Sequence, residues 1–439
     1  MSTGRRVLMV SPHFPPDSSA AAHRVRLLAP HLADAGWTPT VVTVDPSAYE
    51  GRLDPELAGL VPSSIRVVRA PAWPARWTRR VGVGDLGLRA FRGLHAACRA
   101  LLTRERFDAL FITVYPVYPA LLGPLLKRRF HVPFVLDYQD PWVGAWGLTV
   151  GGGVNGGPDW KSAASRRLGV WLEPRAVGAA DALVAVSDGT LDDIVTRIPD
   201  AARVPHEAIP LGFEPADFER LRMGPPRDVA FDPADGLVHL VYVGTLLPTG
   251  IGTLRLLLMA LRRLRETDRD AAERLRLHFF GTSNQSASDR CRVRPVAEDL
   301  GVAAQVAEAP GRLDYLDALA TLMRASGILL LGSAERHYTA SKLYPALLAK
   351  RPLLALFHEA SSVVAILRDV AREPSVRVVT YDDRPPDQIH IDAVAAHLGQ
   401  LARAPVYRDD DVRFDRAEEV SARTLARRLA RVFDRVCAA

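Results

Sequence analysis

Short apolar runs alternate with stretches whose apolar positions recur at helical spacing along almost the whole chain. VLMVS (7–11) is followed by HRVRLLAPHLADAG (23–36), then TPTVVTV (38–44), IRVVRAP (65–71) and an amphipathic stretch over 86–104. ALFITV (109–114), a helix over 118–129, FVLDY (134–138) and ALVAVS (182–187) continue the series. Apolar runs separated by helical segments predict an α/β fold, with parallel sheets covered by helices on both sides.

The rhythm breaks over 206–236, where charge is dense and Pro225-Pro226 and Asp235-Gly236 favour turns, so a linker is expected there. It restarts with LVHLVYVG (237–244), a helix over 252–266, RLHFFG (276–281), a helix over 290–300, VAEAP (306–310), a helix over 314–325 and GILLLGS (327–333). A helix over 341–350, LLALF (353–357) and VRVVTY (376–381) complete it. Near the end, Leu425, Leu429, Val432, Phe433 and Val436 fall at helical spacing with arginines between them. A chain of 439 residues is too long for one core. The expected organisation is two Rossmann-like domains, 1–212 and 213–405, facing a central cleft with ligand at the carboxyl ends of the strands. A helix within 406–439 is expected to return to the first domain.

Composition narrows the setting. Apolar residues make up 48% of the chain, yet no apolar run approaches the roughly 20 residues needed to span a bilayer. The start, MSTGRRVLMVSPHF, is basic, but its apolar run is too short for a signal-peptide core. Cys98, Cys291 and Cys437 lie far apart, with neither metal spacing nor a disulfide framework, so a reducing cytoplasm is the expected compartment. The net charge is +6, carried by 52 Arg against 4 Lys. Between Arg66 and Arg106, ten arginines face only Asp85 and Glu105, leaving that window at +8 with Trp73, Trp77, Phe91 and Phe107 inside it. Residues 66–106 are either a solvated helix face or a contact with an anionic surface such as the inner membrane face; nucleic acid is not an expected partner. GAWGLTVGGGVNGGPDW (144–160) holds seven glycines but no Gly-Lys-Ser/Thr ending, so it is no nucleotide P-loop and reads as a surface loop or a substrate lid.

The stretch HYTASKLYPALLAKRPLLALF (337–357) is the most informative. Ser341 reads as a helix N-cap, since a short hydroxyl there can accept from an exposed backbone N–H. A helix start just after a strand end suits an anion, because free N–H groups and the helix dipole favour negative charge. Taken alone, the same layout fits any helix–strand junction of a parallel sheet.

Several segments, in order, resemble the family 4 glycosyltransferases of the GT-B fold. SPHFPPDSSAAAHRVRLLAPHLADAGWTPTVVTV is similar to the family's opening strand, Pro-Pro loop and helix. DYQDPW (137–142), ADALVAVSDGTLDDI (180–194), AIPLGFEPADF (208–218), YVGTL (242–246) and FFGTS (279–283) resemble further family segments. The departures lie in the donor motif. The family's pair of Glu residues, with seven residues between them around the donor helix, would fall at His337 and Pro345, with Glu335 nearby, and the basic pair after the first donor-domain strand is missing from TLLPTGIGTLR.

The resemblance implies a nucleotide-sugar donor in the second domain, around Gly244, Thr245, Gly281, Tyr338, Ser341 and Lys342. Lys342 and nearby N–H groups would stabilise the leaving diphosphate. His337, standing in for the missing Glu, Glu335 and Asp140 are the catalytic candidates, and Asp17, Ser18, Ser19, Arg24 and Tyr115 the acceptor-side ones. Each has a plainer reading, as a turn former, a cap or a surface charge. His13 has no partner at metal spacing and Asp409-Asp410-Asp411 reads as a solvated turn, so no metal is expected, and no cofactor beyond the donor substrate. The function implied is transfer of a sugar from a nucleotide sugar to a hydroxyl of a small molecule, glycan or lipid-linked acceptor, with retention. The alternatives are a degenerate member that binds nucleotide or glycan, or supports a partner enzyme, without catalysis, and a sugar-nucleotide epimerase.

Overall fold

The computed structural model describes residues 4–143, 160–283, 290–333, 342–384 and 387–438. The chain forms two compact units, Met1–Gly212 with Ala422–Ala439, and Phe213–Ser421. In the first unit β1 (Arg5–Val10), β2 (Trp37–Val44), β3 (Arg66–Ala70), β4 (Ala109–Thr113), β5 (Phe134–Tyr138), β6 (Ala182–Ala185) and β7 (His206–Ala208) form one sheet. Its order is 3-2-1-4-5-6-7, and every pairing is parallel.

Both faces of that sheet are buried, as the apolar runs require. Along β1, Leu8 and Val10 point into one core, with residues of the helices Leu86–Arg104, Leu122–Phe130, Trp160–Ala179 and Asp188–Arg197. Val7 and Met9 point into the other, with the helices Ala22–Leu32 and Ala422–Ala438. The last helix is tied in by polar contacts as well: Arg428 and Arg435 donate to Glu207, in β7, at 3.0 and 2.6 Å. Phe433 meets Trp37 edge-on at 5.1 Å between ring centroids.

The second unit repeats the winding. β8 (Val238–Val243), β9 (Leu275–Phe280), β10 (Val306–Ala309), β11 (Gly327–Leu331), β12 (Leu353–His358) and β13 (Val376–Tyr381) lie in the order 10-9-8-11-12-13, all parallel. One core packs Leu240, Leu277, Leu329 and Leu354 against the helices Ile251–Thr267 and Gln388–Arg403. Each sheet therefore has a point where strand order reverses, between β1 and β4 and between β8 and β11. Ligands of such sheets bind outside the carboxyl ends of the strands at that point.

Three features differ from the sequence reading. Helix Trp160–Ala179 has no one-sided apolar stripe and carries Pro174, so periodicity does not announce it. The expected linker over 206–236 contains strand β7 and the helix Pro215–Met223. Residues 406–421 lie with the second unit. There Asp411, 7% exposed, accepts from Ser375 Oγ at 2.7 Å, and Asp409 pairs with Lys350 at 3.0 Å, so the aspartate run is a turn with Asp409 and Asp410 exposed, as expected, and Asp411 anchored beneath them.

Candidate active site

In the second unit the reversal point is marked by Gly244, which follows β8. Its φ is +135°, a region that L side chains rarely adopt, and a Cβ there would overlap Cε and Nζ of Lys342. Gly244 N–H donates to Phe280 O at 2.8 Å, and Gly281, with φ +71°, donates to Ala309 O at 2.9 Å. The two expected glycines thus end adjacent strands side by side. Lys342 reaches across: its Nζ donates to Tyr242 OH at 3.1 Å and to Thr245 O at 3.2 Å, and lies 4.7 Å from the Tyr242 ring centroid. Burial, helped by the charge of Arg312, pushes the Lys342 pKa down to about 7. Among the described residues no carboxylate bonds its Nζ, so an arriving anion would raise that pKa.

The helix after Lys342 is shorter than its sequence suggests. It runs Leu343–Leu348, with Lys342 at the N-cap position making no side-chain cap bond. Six residues carry a small dipole, so the positive charge at this point is the ammonium group rather than the helix end. Pro345 is the third helical residue, where no N–H partner is needed, and its carbonyl accepts from Ala349 N–H at 3.1 Å. Glu335, His337, Tyr338 and Ser341 lie outside the described residues.

In the first unit the loop after β1 folds around a pair that sequence reasoning set aside. His13 Nδ1 bonds Asp17 Oδ2, and Asp17 also accepts from Ser19 N–H at 3.0 Å and Ser19 Oγ at 2.8 Å. Burial pushes the Asp17 pKa up, but the bonds from His13 and Ser19 outweigh it, and the carboxyl lies below its ordinary range. The His13 ring stacks at 5.9 Å on Tyr49 and sits 5.6 Å from Tyr115, which follows β4. Among the described residues, Nε2 has no hydrogen-bond partner. The signal available in sequence was the four-residue spacing from His13 to Asp17 in the loop after the first strand.

Tyr115 is 40% exposed, and its pKa is raised by burial and then by the charges of Asp140, Asp85 and Asp17. Those three carboxylates therefore surround the reversal point between β1 and β4. Asp140 lies on the surface just beyond β5, where crowding by protein raises its pKa. Asp85 caps the helix Leu86–Arg104, accepting from Leu88 N–H at 2.8 Å. Two acceptor-side candidates have other employment. Arg24 is 1% exposed and bonds Asp137 on β5 and Pro210 O, so it ties the core rather than facing a ligand. Ser18 Oγ donates to Arg52 O at 2.9 Å and ties its loop to the chain that follows β2. Two concavities in this unit, of about 680 and 750 Å³, lie instead at the amino ends of the strands, around Asp181 and His206 and around Asp108 and Pro133.

Comparison with known proteins adds a family match to the first unit and a likeness in fold to the whole chain. Residues 19–212 match the family model of the glycosyl transferase 4-like domain. That match spans less than half of the chain. No curated protein gives a sequence match to the chain. Among solved structures, the chain is similar in fold to a glycosyltransferase from Rickettsia africae, at 13% identity and a TM-score of 0.58 over 99% of this chain and 98% of that one. HepE of Anabaena, in complex with UDP and glucose, shares 13% identity at a TM-score of 0.57, covering 98% and 100% of the two chains. WaaG, a glycosyltransferase of lipopolysaccharide biosynthesis, gives 16%, 0.53 and 98% of each. The fold common to them is GT-B, two Rossmann-like domains in one chain.

Proposed function

We propose that the protein transfers a sugar from a nucleoside diphosphate sugar to a hydroxyl acceptor with retention of anomeric configuration. The observation that carries this is Lys342, lodged against Gly244 at the reversal point of the second sheet with a pKa near 7. The donor diphosphate takes the place beside the ammonium group, with the turn after Gly244 and the open face of Gly281 leaving room for its oxygens. Because HepE has been seen with UDP and with UDP-glucose, a uridine diphosphate sugar is the donor to try first. Glu335, His337 and Tyr338 are assigned to the sugar.

The acceptor is assigned to the first unit, where Tyr115, His13, Asp17 and Asp140 offer hydrogen-bond partners to a hydroxyl. The acceptor oxygen bonds the anomeric carbon on the face the diphosphate leaves, the carbon–phosphate-oxygen bond breaks, and the acceptor proton passes to the departing phosphate oxygen. Lys342 neutralises the charge that develops there, a task assigned here to the side chain and not to a metal or a further cofactor. The proposed compartment is the cytoplasm. Pro345, which cannot accept from a ribose hydroxyl, favours a second reading, nucleotide binding without transfer.

Titration calorimetry with UDP and other nucleoside diphosphates tests the site, and NMR of donor turnover in water tests the chemistry. Failure of every diphosphate to bind defeats the proposal. Binding without any donor hydrolysis or transfer establishes the second reading.

A further inference from the structure

The window from Arg66 to Arg106 resolves into two kinds of arginine. Several are committed: Arg66 bonds Glu105 at 2.8 Å, Arg79 pairs with Glu50 at 2.9 Å, and Arg89 is buried. Arg76 and Arg80 are exposed, with Arg76 5.4 Å from the ring centroid of Trp77. Around them the chain holds apolar side chains out to water. Trp73 is 58% exposed, Trp77 60%, Val81 78% and Leu88 39%. Exposed apolar residues gathered with cations on one short segment mark an interaction surface.

This display is built, not left over. Trp73 N–H donates to Arg89 O at 3.1 Å, and Arg89 Nη1 returns a bond to Trp73 O at 3.0 Å. Arg89 also holds Ala48 O at 3.1 Å. Gly93 lets the helix Leu86–Arg104 approach the Pro71 carbonyl, which any Cβ would strike. The segment is thereby fastened to the helix by its backbone while its rings face outward.

We propose that this surface, Trp73, Trp77 and Val81 with Arg76 and Arg80, docks the protein on an anionic phospholipid bilayer. Indole rings suit the headgroup level, and arginines suit the negative surface potential. No helix of the described residues is long and apolar enough to cross a membrane, so the contact is peripheral. The same segment leads into Asp85, whose carboxyl feels the charge of His13, and so the docked face borders the candidate acceptor residues. Docking is read without donor or acceptor, so it stands or falls apart from the transfer reaction.

Co-sedimentation of the full chain with phosphatidylglycerol/phosphatidylcholine vesicles, and with phosphatidylcholine alone, is the test. Binding is expected only to the anionic vesicles, with a blue shift of tryptophan emission and weakening as salt is added. Each arginine neutralised should cost roughly fivefold in partitioning, the counterpart of about 1 kcal/mol per basic residue near the surface. Arg76→Glu/Arg80→Glu and Trp73→Ala/Trp77→Ala should each abolish binding while keeping the wild-type melting temperature, since these side chains are exposed. Wild-type protein that ignores anionic vesicles at low salt overturns the proposal. So does vesicle binding that both double variants retain, or binding of double-stranded DNA that the vesicles do not displace.

Discussion

Arg24 and Asp137, far apart in sequence, lock together inside the first unit. The guanidinium donates from Nη2 at 2.6 Å to Oδ1 and from Nε at 3.0 Å to Oδ2, and both side chains are at most 1% exposed. Such a fork fixes the first helix against β5 and, through Pro210 O, against the chain leaving β7. Arg24→Ala strands a buried carboxylate and should cost about 3–5 kcal/mol, seen as a lower melting temperature. Arg24→Met with Asp137→Leu should recover most of that loss, because no charge is then left unpaired.

Lys342→Ala should weaken UDP binding by one charge-assisted bond, roughly 1.5–3 kcal/mol by calorimetry. The wild type has a sharper signature. With its pKa near 7, Lys342 is largely neutral at pH 9 and must take up a proton as the diphosphate arrives. Affinity should therefore fall as pH rises above about 7, and the binding heat should vary with the ionisation enthalpy of the buffer. A pH-independent affinity between 7 and 9 would remove the lysine from the site.

Gly244→Ala places a methyl group where Lys342 lies, at a φ of +135°. The predicted result is loss of nucleoside diphosphate binding together with a lower melting temperature. Gly252, where an added Cβ meets nothing, is the matched control: Gly252→Ala should leave binding unchanged.

Asp17→Asn leaves His13 without its anionic partner. Transfer should slow while UDP affinity holds, since donor and acceptor are assigned to different units. A matching loss of UDP affinity would contradict that assignment.

In the second unit His278 titrates at about 4, lowered by burial and then by the charges of His239 and Arg276, with Asp235 opposing. An unfolded histidine titrates near 6.5. Between those values the unfolded chain holds a proton that the folded chain does not, so stability falls as pH drops from about 6.5 to about 4. Melting curves across that range should show the decline, and His278→Gln, which can still bond His239, should flatten it.

Legibility in the sequence followed the physics of each element. β1 to β6 and β8 to β13 are apolar runs with a period that announces itself, and the helix over Leu86–Arg104 shows the stripe it buries. β7 has only three residues, none of them large and apolar, and its place is set by pairing to β6. The positions of Gly244 and Gly281 were readable because each closes a strong apolar strand, and that of Lys342 because an apolar helical stretch starts after it. Arg24 was misread because a charge in the first turn of a helix resembles a surface charge until Asp137 is brought beside it. His13 was passed over for want of metal spacing, whereas its partner is a single carboxylate four residues on.

The terminal helix Ala422–Ala438 supplies Leu425, Leu429, Val432 and Phe433 to a core otherwise built by residues before 213. In order of synthesis, the whole of Phe213–Ser421 must emerge before that core has its last side chains. The nascent first unit thus waits with one face of its sheet covered by the helix Ala22–Leu32 but not by its second helix, and the second unit behaves as a long insertion into it. A ribosome that stops short of residue 422 releases a finished second unit and an unfinished first one, an aggregation-prone species of the kind chaperones attend.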